Sequence, residues 1–112
     1  MAYNDTLARR VRDALAGDGN VTEKKMFGGL AFLHRGLMFV GISDRAMMAR
    51  VGKAQYTAAL RRKHVRMMDF TGKPMQGYVF VDATGLKTEK QLRFWVDLCL
   101  KHVGTLPTKS AE

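Results

Sequence analysis

Between Val21 and Val51, turn signals at Gly28-Gly29, Arg35-Gly36 and Ser43-Asp44 cut the chain into short strand-forming stretches. The stretches cover 23–27, 30–34, 37–42 and 46–51, each shorter than the roughly ten residues a helix needs. Parallel pairing would need a crossover of about a dozen residues between neighbours, and no gap here is that long. Strands this closely spaced pair as an antiparallel meander. Gly52 ends the run.

Helical periodicity flanks the meander on both sides. Leu7, Val11 and Leu15 recur every four residues behind Asn4 or Asp5, either of which can cap a first helix, and Gly17 ends it. Ala54 to Lys63 reads as a second helix with a modest apolar side of Tyr56, Ala59 and Leu60. The last helix has the clearest start. Thr88 with Gln91 three residues on makes a capping box, and Leu92, Trp95, Val96, Cys99 and Val103 cover one side. Two more strands, 65–70 and 77–82, flank a turn at Thr71-Gly72-Lys73-Pro74. The order is α-β-β-β-β-α-β-β-α, which fits a two-layer α+β domain with helices on one face of an antiparallel sheet. It occupies residues 1–104, and 105–112 reads as a flexible tail.

The single cysteine, Cys99, excludes an internal disulfide and suits a reducing compartment. The N-terminal residues lack the basic start and apolar run of a signal peptide, and no stretch has the ~18 apolar residues of a membrane span. A cytoplasmic protein without a membrane association is expected. The net charge of +9 is unevenly placed. No acid lies between Asp44 and Asp69, where Arg45, Arg50, Lys53, Arg61, Arg62, Lys63 and Arg66 fall, and the rest of the chain is close to balance. Such a local excess attracts polyanions. Arg61, Arg62, Lys63 and Arg66 are therefore the candidate contacts to DNA or to an acidic protein.

Catalytic patterns are weak. His34, His64 and His102 are scattered, without a carboxylate in a recognisable motif. Asp69 and Asp82 could meet as an acid–base pair, but Asp is common where strands end and turns begin. Cys99 and His102 are three apart, yet structural zinc uses four ligands at closer paired spacing, and Cys99 lies on an apolar stripe. Gly72-Lys73 lacks the remaining residues of a phosphate-binding loop. No cofactor or metal is expected, and the chain reads as a non-enzyme. Met47-Met48 and Met67-Met68 place one methionine on each sheet face, and core packing is the reading favoured for them. Phe94 and Leu98 point away from the last helix's apolar stripe, which suggests cover by a second copy in a homodimer.

Three blocks of sequence carry a family likeness. They are Val21 to Phe32, with Lys25, Met26, Phe27, Gly28 and Gly29 at its centre; Arg50-Val51-Gly52; and Asp69 to Met75, with Phe70, Thr71, Gly72, Pro74 and Met75, followed by Gly77 to Asp82. In this order and spacing they resemble the TfoX N-terminal domain family, over nearly the whole chain. The resemblance implies a secretion-chaperone-like α+β fold and a role in regulating DNA-transformation competence or gene expression. It implies action with a cyclic-AMP-receptor-type transcription factor or on DNA. The motif residues are expected to be mainly architectural. The alternative expectation is a small enzyme or ligand-binding protein with a pocket near Met26 to Gly29, facing the Phe70-to-Gly77 turn.

Overall fold

The first helix, α1 (Asp5–Ala14), is capped as its sequence requires, with the Asn4 side chain accepting from the Leu7 amide at 3.0 Å. The computed structural model describes residues 4–17, 19–26, 29–44, 46–70 and 73–106, and at 26, 69, 70 and 73–75 the backbone alone. Leu7, Ala8 and Val11 turn inward from α1, and Leu15 follows just past its end. The strands are β1 (Val21–Met26), β2 (Gly29–His34), β3 (Leu37–Ile42), β4 (Ala46–Arg50), β5 (Val65–Phe70) and β6 (Lys73–Asp82). Helix α2 (Lys53–Leu60) joins β4 to β5, and α3 (Glu89–Gly104) follows a 3-10 turn at Ala83–Gly85.

All six strands form one antiparallel sheet in the order β1-β2-β3-β4-β6-β5. The first four make the expected meander. The final hairpin then inserts β6 beside β4 and leaves β5 at the edge. His34 pairs with Leu37, so β2 and β3 share a two-residue turn in which Arg35 (φ 53) and Gly36 (φ 85) are both left-handed. That is the turn whose twist matches an antiparallel pair. Further along, the β2–β3 register shifts, and the consecutive Phe39 and Val40 are both fully buried in the core. An extra residue in one strand turns two neighbours to the same side.

One hydrophobic core receives Val11 of α1, Ala59 of α2, and Leu92, Trp95, Val96, Cys99 and Val103 of α3. These pack against Phe32, Val40, Met47, Ala49, Val79 and Val81 of the sheet. The fold is therefore α+β with the helices over one sheet face, as the order of elements predicts. Thr88 and Gln91 complete the capping box of α3. No helix of the described residues is long and apolar enough to cross a membrane.

Two local expectations need correction. Helix α2 stops at Leu60, three residues before Lys63, because the chain must reverse into β5. Strand β6 starts at Lys73, so Pro74 lies inside a strand near its beginning, where a missing amide is tolerated. Asp69 pairs with Pro74 while Val81, next to Asp82, pairs with Val65. The two aspartates thus stand at opposite ends of the β5–β6 ladder and do not form an acid–base pair. The methionine pairs divide unevenly. Met47, Met48 and Met68 are buried, and Met67 on the edge strand is 50% exposed.

Candidate functional site

The chain reversal after α2 collects the basic residues. Arg61 and Arg62 donate their amides to the Ala58 and Ala59 carbonyls in a tight turn just past α2, and His64 (φ 68) swings the backbone into β5. A positive φ strains a non-glycine residue by about 1–2 kcal/mol, so something must hold His64 there. Its carbonyl accepts from the Asp82 amide at 2.8 Å, and its Nδ1 lies 2.9 Å from the Thr84 hydroxyl. Gly85 completes the lock: a Cβ at that position would lie 2.8 Å from the His64 Cβ.

Arg61, Arg62, Lys63 and His64 then form one wall of a cleft of about 450 Å³, with Gln91, Phe94 and Trp95 of α3 lining the other side. The Arg62 guanidinium lies 4.0 Å from the centre of the Phe94 ring and 5.7 Å from that of Trp95. Phe94 meets Trp95 edge to face, 5.2 Å between centroids at 83°. Trp95 is buried, while Phe94 stays 40% exposed and so offers ring surface to a ligand. Cation and ring attract each other, and a planar guanidinium resting on an aromatic is already oriented for further stacking.

The four basic candidates therefore separate. Arg61, Arg62 and Lys63 share the cleft. Arg66 lies on β5, bound to Asp82 at 2.8 Å and set 5.4 Å over the Phe80 ring, and so has its own carboxylate partner. In sequence the basic segment has only Tyr56 near it as an aromatic. Phe94 and Trp95 sit some thirty positions away in sequence, and only the placement of α3 beside the turn after α2 brings them in. The signal was present as an apolar residue, Phe94, on the wrong side of an otherwise regular stripe. Leu98, its companion there, packs against the core and is partly buried. Arg62 supplies intramolecular cover to Phe94, so α3 presents less bare apolar surface than its periodicity suggests.

Six of the motif residues lie in strands. Lys25 is exposed on β1 opposite Leu30, and Met26 pairs with Gly29 across a two-residue connection. Phe70 ends β5, and Pro74 and Met75 lie in β6. Phe27, Gly28, Thr71 and Gly72 fall outside the described residues. Gly29 also borders an apolar groove of about 230 Å³ with Met38, Met48, Met68 and Phe80. The groove runs across the sheet, with lining residues from β2, β3, β4, β6 and β5. Gln76 and Gly77 instead line a different cleft, with Arg50, Lys53 and His102, at the start of α2.

Cys99 is fully buried, and burial pushes its thiol up to about 12 despite a hydrogen bond from the Arg50 backbone. It is a core residue, with negligible thiolate near neutral pH. Among the described residues no three His, Cys, Asp or Glu side chains are grouped to hold a metal ion. Comparison with curated proteins and with solved structures returns no significant match. Residues 13–103 match the model of the TfoX N-terminal domain. That stretch spans all six strands, α2 and nearly all of α3, and the chain belongs to the TfoX N-terminal domain family.

Proposed function

We propose that this chain is a non-enzymatic regulatory module that binds nucleic acid through the cleft between α2 and α3, with unpaired bases its preferred target. The observation that supports this most is Arg62 packed on Phe94, a ring that stays 40% exposed, flanked by Arg61 and Lys63. Cations next to an accessible ring are what a single strand uses: phosphates meet the charges and a base stacks on the ring. A duplex keeps its bases stacked and offers only their edges in the grooves, so the ring finds no base face there. The family's likeness to competence and gene regulators supports DNA as the target of such a contact, beside a transcription factor of the cyclic-AMP-receptor type. The runner-up is a binder of small apolar molecules, favoured by the groove at Gly29, Met68 and Phe80. Its volume of about 230 Å³ falls short of the roughly 300–1,000 Å³ usual for drug-sized ligands.

Fluorescence anisotropy with a labelled oligonucleotide of about 15 residues tests the proposal. The wild type binds the single strand more tightly than the same sequence as a duplex. Phe94→Ala weakens single-strand binding by roughly tenfold, the value of one lost base stack. Equal affinities for Phe94→Ala and the wild type, or a preference for duplex, would remove the stacking role.

A further inference from the structure

The other end of α2 carries a second cationic cleft, unconnected with the residues assigned to nucleic acid. Its volume is about 430 Å³, and Arg50 from β4, Lys53 from α2 and His102 from α3 all line it, with Tyr78 of β6 beside them. No carboxylate is among the described residues that line it. Three cationic or protonatable groups from three elements thus meet without a lining anion to balance them.

The backbone is shaped to allow this meeting. Gly52 (φ 87) and Gly77 (φ 92) both take conformations that side chains disfavour, and both line the cleft. The Gly77 carbonyl accepts from the Val51 amide at 2.8 Å and from the Gly52 amide at 3.1 Å, fixing the end of β4 to β6. A Cβ on Gly52 would lie 2.5 Å from Nδ1 of His102, so only glycine admits the imidazole. Arg50 is held in place as well. Its guanidinium donates to the Met38 carbonyl at 3.2 Å and lies 5.6 Å from the centre of the Tyr78 ring. That hydrogen bond takes one of its five donors. Burial, and then the positive charge of Arg50, hold His102 below the ordinary 6.5, in keeping with a site short of negative charge.

From this geometry we propose that the cleft binds the phosphate group of a small phosphorylated molecule. A phosphate monoester near neutral pH carries close to two charges and three free oxygens, enough to meet donors arriving from three directions. A carboxylate offers one charge and two coplanar oxygens. The recess suits a small molecule, since its volume lies within the range of small-ligand sites. The eight residues of α2 put about 12 Å between this cleft and the basic turn at Arg61, so the two sites are separate.

Amide NMR titrations with inorganic phosphate, phenyl phosphate and acetate, at matched ionic strength, test the proposal. Both phosphates should give saturable shifts at Gly52, Lys53 and Gly77, half-saturating on the order of 1 mM for inorganic phosphate. Bound phosphate should raise the His102 pKa, because a nearby anion favours the protonated ring. Arg50→Gln should weaken binding by about tenfold. Lys53→Gln, at an exposed position that leaves the fold intact, should weaken it by about threefold. The variant with Arg61, Arg62 and Lys63 all changed to Ala should bind phosphate as the wild type does, whatever happens to its nucleic-acid binding. Shifts that do not saturate, that persist unchanged in Lys53→Gln, or that acetate reproduces equally would overturn the proposal.

Discussion

Gly52 shows how much one residue decides here. It ends β4, opens α2, takes a left-handed φ, and leaves the space that the His102 ring fills. Gly52→Ala should therefore destabilise the fold by roughly 1–3 kcal/mol, through backbone strain and collision with the imidazole together. Adding His102→Ala should recover the part due to collision and leave the part due to φ. Denaturant melts of the single and double variants would show this, and a Gly52→Ala protein as stable as the wild type would contradict it. The sequence marks Gly52 as the point where the sheet stops. It does not reveal the ring above it, because the clash partner lies fifty positions away. Gly77 was hidden for a similar reason: it reads as the first residue of a strand, and its positive φ arises only where Val51 and Gly52 bind its carbonyl.

At the scale of elements, legibility followed local content. α1 and α3 are set by short-range rules, an Asn4 cap, a Thr88–Gln91 box and an apolar repeat of three and four, and the structure keeps all of them. Helix α2 has no such markers, with a glycine N-cap that makes no side-chain bond and one buried residue, Ala59. Its end is fixed by the reversal at His64, which depends on Asp82 at the end of β6 and on Thr84 and Gly85 of the 3-10 turn after it. The basic residues therefore form a turn and not a final helical turn, and this places Arg62 over Phe94. A double-mutant cycle on Arg62→Ala and Phe94→Ala should give a coupling of about 0.5–1 kcal/mol in stability, as expected of an exposed cation on a ring. Additive effects would mean that the two side chains do not touch in solution.

For the molecule as a whole, the charge imbalance visible in the sequence resolves into two basic clefts at the two ends of α2, one containing an exposed ring and one recessed among glycines. Arg66, though part of the same run, is neutralised locally by Asp82. The order of strands was legible only as far as the meander. Insertion of β6 beside β4 depends on long-range pairing, which no stretch of sequence states locally. The proposed function has Arg61, Arg62 and Lys63 hold a nucleic-acid backbone. Its most direct test is the slope of log affinity against log salt concentration for a single-stranded oligonucleotide, in the wild type and in the variant with all three changed to Ala. Each phosphate contact removed should flatten the slope by about 0.7, and the three together by up to about 2. A variant whose slope matches the wild type would show that these side chains do not touch the phosphates.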